Sequence, residues 1–567
     1  MNSSEYFAAF LHAVGIERAY TLSGGMIAPL LDAIGEHPQL KFVAVSHEQS
    51  AAFAAETEGQ LGNKPGVAIG TSGPGALNLV TGIASAFYDS VPTIFVGGQV
   101  QTYIARLVPG GRQSGLQQCD FSSVCATIAK EVFCPKSARE IPDVLARAYE
   151  VAMTDRRGPV VLDIPLDVQT GDTGARSVKL PRLPEPAQPS RDIVRQLAEA
   201  LRQAKRPVML AGGGAHGAEV VCRRFARRHG LPVVSTTAGL DVAAGLGPLC
   251  IGMCGMYGAR AANTVLSEAD VVLVVGSRLD HAVIGADPTG FARKRQVWQI
   301  DIDPAEAGAR AKPCHVVIGD VGATLDLLDR SELLAGFAVP SEWTSRVNDI
   351  VVQFPTTGER AATNGIDPNH FAAHMERFCG PAAAFVVDAG QHTWFVGQSL
   401  GLSSGQRFVT STGLHACGTA IPAAIAAALC LKRPVVAIAG DGAIQLNIQE
   451  LATVVREKLP IKTVIINNRA HGSVRQFQVE FLAGRYHGAV WGLAHPDLQA
   501  VFTAYGIASR KISSPNEIDD ALEWLWREPG QAQMLEVMID TAIEVSPSVP
   551  FGRQISAMVP SVQGAPR

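Results

Sequence analysis

The chain alternates short apolar runs with longer stretches whose apolar positions recur at helical spacing. "FVAVS" (42–46), "GVAIGTSG" (66–73), "PTIFVGG" (92–98) and "GPVVLDIP" (158–165) form a first group of such runs. "PVMLAGGG" (207–214), "DVVLVVGS" (270–277) and "VWQIDID" (297–303) form a second. "AFVVDAG" (384–390), "PVVAIAG" (434–440), "KTVIINN" (462–468) and "MLEVMID" (534–540) form a third. Near-continuous apolar runs predict strands buried on both faces, and helices between them predict parallel sheets. The expectation is an α/β chain of three open, doubly wound domains, over 1–172, 190–332 and 360–550. Between the first two, the Pro-rich "DTGARSVKLPRLPEPAQPSRD" (172–192) has neither period and reads as a linker; a softer break covers 352–370.

Composition narrows the function classes. The 567 residues carry a net charge of -4 and no basic block, which argues against nucleic acid. The N-terminus reads as a polar cap and an amphipathic helix, without the basic start and apolar core of a secretory signal. No apolar run reaches the roughly 18 residues of a membrane span. The ten cysteines are scattered, and Cys250 and Cys254, the closest pair, have no second pair or His cluster, which argues against structural zinc. Reduced, buried thiols in a cytoplasmic protein are expected.

Chemistry concentrates at strand ends. Asp441 follows "PVVAIAG", and Asn467 and Asn468 close "KTVIINN". Between them, 447–458 predicts a helix with Asn447 as N-cap, whose N-terminus favours an anion. A carboxylate, an amide oxygen and a backbone carbonyl are hard ligands that suit Mg²⁺ bridging to a diphosphate, and glycines let the backbone approach phosphates. For Gly440-Asp441-Gly442 alone, a plain turn is an equal reading.

The two motifs together resemble the binding motif for thiamine diphosphate (ThDP). The resemblance implies Asp441, Asn468 and the Ala470 carbonyl as metal ligands, and Gly440, Gly442 and Ala443 beside the diphosphate, with Asn467 shaping the turn. "DAGQHTW" (388–394) is similar to the family's second phosphate-contacting loop. That implies Gln391 and His392; a polar loop residue is the other reading of His392. Glu48, after "FVAVS" and at the start of an Ala-rich helix, is either a helix N-terminal charge or the Glu that bonds the cofactor's aminopyrimidine. Glu56 has no matching string and reads as structural or exposed.

The string 70–100, "TSTGL…IPAAIAAAL" and "GDGAIQLNIQELATVV" closely resemble acetolactate synthases, so the resemblance spans nearly the whole chain. It implies pyrimidine-binding, middle and diphosphate-binding domains. The first and third meet at one cofactor from different subunits, in a homodimer or homotetramer. "AGGGAHG" (211–217), "GMCGMYG" (252–258), "GSRLDHAVIG" (276–285) and "IDIDP" (300–304) lie where FAD-binding relatives carry similar loops. They imply structural FAD held through Gly213, Arg278 and Asp301. The family's Arg-Phe-Asp-Asp-Arg is Arg278-Leu279-Asp280-His281-Ala282 here, so an empty remnant domain stays open.

Near the substrate the chain departs from the family. Phe-Gln-Glu becomes Leu116-Gln117-Gln118, with Gln117 implied to contact the bound intermediate. Ser23-Gly24-Gly25 replaces Pro-Gly-Gly, and Gly25 leaves room beside the thiazolium. Ser473 and Phe477 stand where the family has Met and Trp, which changes the acceptor pocket. Cys417 replaces a large apolar residue under the cofactor. Arg475 either pairs with an acidic acceptor or is solvated. The implied activity is carboligation: pyruvate loses CO₂ and its two-carbon unit joins a second carbonyl. "GSVRQFQ…GRYHG" (472–488) also resembles ThDP enzymes that act on the ketone of a nucleotide-linked deoxysugar. A simple 2-ketoacid decarboxylase lacks its adjacent His pair here; a flavin-dependent pyruvate oxidase and a non-catalytic relative complete the alternatives.

Overall fold

A computed structural model describes residues 1–105, 107–108, 110–360 and 365–561. It contains three six-stranded sheets, and every strand pairing within them is parallel. Counted within each domain, the first and third sheets share the order 2-1-3-4-6-5, and the middle sheet runs 6-5-4-1-2-3. The expected α/β class is therefore observed. Where strand order reverses, a crevice opens at the carboxyl ends of the strands. It lies between strands 1 and 3 of the outer sheets and between strands 1 and 4 of the middle one.

All eleven predicted strands form, with ends shifted by a few residues. Seven further strands escaped the pattern: Arg18–Thr21, Glu131–Phe133, Val233–Ser235, Cys250–Met253, His315–Ile318, Arg407–Val409 and Ala508–Ile512. Five of these lie at sheet edges. Edge strands are short and half-solvated, so they show no continuous apolar run; Ala508–Ile512 buries only its last residue fully. No helix or strand lies between Thr170 and Arg191, as expected of the linker. Within the softer break, residues 361–364 lie outside the described residues.

The helix Ser3–Ala13 starts with a capping box between Asn2 and Glu5, as the polar N-terminus predicts. All ten cysteines are free, but only four are buried, and Cys250 and Cys417 are exposed; the expectation of buried thiols fails for most. No helix among the described residues is long and apolar enough to cross a membrane.

The first and third domains share one hydrophobic core. Its centre is the packing of helix Glu48–Leu61 on helix Ala420–Leu431, and Ala51, Ala52, Ala54 and Ala55 of the first helix belong to this core. Glycines bring the first helix close to its own domain: a Cβ on Gly66 would collide with the Ala55 carbonyl, and one on Gly82 with Ala52. Asp89 adds a polar clasp, accepting from the Thr412 N–H at 3.0 Å and the Thr412 hydroxyl at 2.6 Å.

Glu56, on the same helix, is buried and accepts from the Ser85 hydroxyl at 2.8 Å, which in turn meets Ser411 Oγ at 3.2 Å. Burial raises its carboxyl well above the usual range, and the nearby Asp89 adds to this. A raised folded-state value means that the fold favours the neutral acid. That stability is present at low pH and is lost as pH rises from the ordinary carboxylate range. Glu56→Gln keeps an acceptor for Ser85 and cannot ionise. Its apparent melting temperature should match wild type near pH 4.5 and exceed it at pH 8, by the equivalent of about 1–3 kcal/mol. Thermal denaturation at the two pH values checks this.

Candidate active site at the strand ends of the outer domains

In the third sheet, strands Val435–Gly440 and Ile461–Asn467 pair with Gly440 opposite Ile466, so both release their next residues at one edge. The Asp441 carboxylate lies 3.6 Å from His495 Nδ1. Burial is the main influence on its carboxyl and holds it above the usual range. Asn468 Oδ1 accepts from Ala470 N at 3.0 Å, and its amide nitrogen donates to Gln391 Oε1 at 3.2 Å. Asp441, Asn468 and Ala470 are all nearly buried. Asn467 turns the other way: it donates to Glu536 Oε1 at 2.7 Å and accepts from Arg469 N at 2.9 Å, where φ is +53°. It fastens the turn to the sheet, as expected.

Gln391 and His392 begin the helix Gln391–Ser399, which follows the first strand of this sheet across the crevice from Asp441. His392 is buried, and burial pushes its imidazole down to about 3, so the ring is neutral at ordinary pH. Its Nε2 has no hydrogen-bond partner among the described residues, an orphan atom in a polar crevice. The glycines here answer to side chains: a Cβ on Gly440 would lie 3.1 Å from His392 Nδ1, and one on Gly442 would lie 2.8 Å from His471. Ala443 opens the short turn that follows. Cys417 is exposed at this rim, with Sγ 3.7 Å from the Ala389 carbonyl.

The pattern missed two residues. Asp388, fully buried, accepts from the N–H groups of Ala389, Gly418 and Ala420, and burial pushes it up to about 6. It locks the Gln391 loop to the Cys417 loop. An acid between an apolar run and a glycine was its signal, the same one that marks Asp441. The other is Glu450, whose helix-like surroundings hid it. The predicted helix over 447–458 is broken into turns of 3₁₀ helix and a short α-helix, Leu451–Arg456. Asn447 caps nothing: its side chain takes the Ser50 hydroxyl at 2.8 Å and donates to the Gly418 carbonyl at 2.8 Å. Buried tertiary partners outcompete the local cap.

In the first domain, two expected residues, Glu48 and Gln117, lie against the loop 70–75. Glu48 starts its helix, is 5% exposed, and accepts from Asn78 Nδ2 at 2.9 Å. A Cβ on Gly75 would lie 3.0 Å from Glu48 Oε1, one on Gly73 would lie 2.8 Å from the Gln117 carbonyl, and one on Gly24 would clash with Thr71. Gly25, by contrast, faces open space and lines a surface hollow of about 620 Å³ with Ser23 and Phe42. Gln117 holds a φ of +63°, which costs a non-glycine residue about 1–2 kcal/mol and marks a constrained site. Leu116 beside it is 85% exposed.

Ser473 and Phe477 lie one turn apart on the exposed face of helix Gly472–Phe481, and Phe477 packs on Phe481 at 4.6 Å. Arg475 matches neither expectation. It is 8% exposed, 3.4 Å from Glu544 and 5.2 Å from the Tyr486 ring. It points inward because its helix packs that face against the C-terminal segment.

In the middle domain, Gly213 and Arg278 follow the two strands that flank the crevice, and Asp301 ends the next strand. Gly212 and Gly214 are explained by packing, since a Cβ on either would press on the Gly276 loop. Arg278 pairs with Asp280 at 3.5 Å, and burial raises the Asp301 carboxyl. No hydrogen bond or ion pair among the described residues joins Glu48, Gly25 or Gln117 to Asp441, Asn468 or His392.

Three parallel sheets with polar side chains at their crevices define a cofactor enzyme of the three-domain ThDP class, and the comparisons agree. The chain matches the thiamine pyrophosphate enzyme N-terminal binding domain over 1–124, the central domain over 194–328 and the C-terminal binding domain over 388–535. It is 33% identical over 565 residues to an acetolactate synthase large subunit of Lactococcus lactis, covering 98% of this chain and 96% of that one. It is 32% identical to the large subunit of acetolactate synthase isozyme 2 of Escherichia coli, covering 99% of both. A probable acetolactate synthase large subunit of Methanocaldococcus jannaschii is 31% identical, over 100% of this chain and 96% of that one. The chain belongs to the acetolactate synthase family of thiamine pyrophosphate enzymes.

The separate job of Asn467 can be tested. Asn467→Ala leaves Glu536 Oε1 without its amide donor in a buried place and should cost about 1–3 kcal/mol. A lowered melting temperature of the cofactor-free protein is the expected result.

Proposed function

We propose that the protein is a ThDP- and Mg²⁺-dependent carboligase that removes CO₂ from pyruvate and joins the remaining two-carbon unit to a second 2-ketoacid. The observation that carries this is the adjacency of Asp441 and Asn468 at two neighbouring strand ends, facing the orphan His392 across the crevice. One carboxylate, one amide and the Ala470 carbonyl suit Mg²⁺; no cluster of three His, Cys, Asp or Glu among the described residues is placed to hold a metal. When bound, ThDP supplies a carbon nucleophile and an electron sink.

The chain's own residues bind, orient and move a proton. Gln391, His392, Gly440, Gly442 and Ala443 hold the diphosphate end, and Cys417 lines the space beside it. Glu48 takes and returns a proton at the aminopyrimidine edge, in a pocket that keeps it from water. Gly25 leaves the reacting carbon open, and Gln117 contacts the bound substrate. Leu116, Ser473 and Phe477 shape the acceptor side; Ser473 and Phe477 are smaller than the family's Met and Trp, which supports a roomier acceptor pocket, so another ketone, including that of a nucleotide-linked deoxysugar, is the second reading.

Two residue sets that must meet at one cofactor make no contact in one chain, which supports a homodimer or homotetramer with the site between subunits. FAD is the proposed third cofactor, in a structural role. The middle sheet has the strand order of dinucleotide-binding folds, and Gly213, Arg278 and Asp301 lie at its crevice.

Incubating the protein with ThDP, Mg²⁺ and pyruvate, with and without added ketones, should give acetolactate or a branched ligation product by mass spectrometry. Acetaldehyde alone would overturn carboligation. Glu48→Gln should cut turnover by about 10²-fold or more while leaving ThDP affinity nearly unchanged. Asp441→Ala should abolish Mg²⁺-dependent ThDP retention, measured by calorimetry. Equal effects of the two changes on ThDP affinity would contradict this division of roles.

A further inference from the structure

Glu48 lies on the first turn of a helix whose entry is held from two domains: His47 Nδ1 of its own domain accepts from Gln49 N at 3.1 Å, and side chains of the third domain reach in beside it. Ser46 N donates to Glu450 Oε1 at 2.9 Å, two residues before Glu48. Ser50 Oγ donates to Asn447 Oδ1 at 2.8 Å, two residues after it. Asn447 Nδ2 also reaches Gln49 Oε1 at 3.3 Å. Glu450 and Asn447 are themselves fixed, the first by the Thr453 hydroxyl at 2.8 Å and the second by the Gly418 carbonyl at 2.8 Å. Glu450, Ser50 and Thr453 are fully buried, and Asn447 is 2% exposed. The buried polar oxygens of Glu450 rest on hydrogen bonds, one to the backbone of the first domain and one to Thr453. Glu450 takes the backbone N–H on one side of Glu48, and Asn447 takes the Ser50 hydroxyl on the other.

We propose that Asn447 and Glu450 are positioning residues for Glu48: the segment that follows the Asp441 loop reaches into the first domain and brackets the turn from which Glu48 projects. They do not touch the cofactor. They set the direction of the Glu48 side chain, so that its carboxyl sits between Asn78 and Gly75 without backbone drift. Misplacing a proton-transferring group by about 1 Å costs up to about 10²-fold in rate. The inference rests on Glu48 as the group that faces the aminopyrimidine.

The test uses two readouts on the full-length protein. The first is amide hydrogen exchange of the segment 42–53 without cofactor. Glu450→Ala should speed exchange at Ser46 by about tenfold or more, and Glu450→Gln, which keeps an acceptor oxygen for Ser46 N, should stay near wild type. The second is deuterium exchange at C2 of bound ThDP, followed by NMR after acid quench. It should slow by about tenfold or more in Glu450→Ala, recover in Glu450→Gln, and leave the ThDP Kd within about threefold. Ser50→Ala, a milder change, should slow C2 exchange in the same sense. The proposal is overturned if Glu450→Ala loosens the segment but exchanges C2 at the wild-type rate. It is overturned equally if ThDP affinity falls in parallel with exchange in both Glu450→Ala and Ser50→Ala, because that marks a merely structural role. Glu48→Gln is the control: if it leaves C2 exchange unchanged, the reading of Glu48 fails and this inference fails with it. A normal Glu48 response with an indifferent Glu450 overturns the bracket alone.

Discussion

The structure depends on one close contact, the Ala-rich helix Glu48–Leu61 against Ala420–Leu431. Two helices approach closely only where their side chains are small, and here the small residues come from both domains. The contact fuses the first and third domains into one core and sets where the first turn of Glu48–Leu61 points. Polar groups at the same junction then become expensive unless paired. The Asp89 clasp on Thr412, the Glu56–Ser85–Ser411 chain and the Asn447–Ser50 bond are three local solutions to that one cost.

The repeated strand order of the outer domains gives the contact its functional meaning. Each outer sheet opens a crevice at its reversal point, and the proposed site residues divide between the two domains: Gly25, Glu48 and Gln117 in the first, His392, Asp441 and Asn468 in the third. The junction inside one chain holds these halves in place without joining them. The middle domain is braced rather than fused to the third: Asp241 binds Arg407 Nε at 2.7 Å and His216 at 2.9 Å, and these partners hold its carboxyl well below the usual range despite burial.

Much of this was legible in the sequence, for identifiable reasons. Strands buried on both faces leave an unbroken apolar run, so ten central strands were readable together with the edge strand Lys41–Ala44, and Asp441, Asn468 and Glu48 stood out as polar residues where such runs end. Edge strands such as Ala508–Ile512 were not readable, because one side meets water. Asn447 looked like a helix cap because capping is a local rule, whereas its partners Ser50 and Gly418 lie far away in the chain. Arg475 looked solvated or substrate-facing because a lone Arg gives no sign of a Glu544 brought in by the C-terminal segment.

The acceptor side is where family pattern and structure inform each other least, and the reason is physical. The proposed metal and diphosphate ligands are set by the geometry of two strand ends, so few residue types suit them. Ser473, Phe477 and Leu116 sit on exposed faces of a helix and a loop, where packing within the chain constrains neither size nor polarity. Replacing Met and Trp by Ser473 and Phe477 removes side-chain bulk without disturbing any buried contact. Substitution at such exposed positions leaves the buried bonds around Asn468 and Glu48 untouched, so in the proposed site the acceptor side is free to vary without cost to the fold.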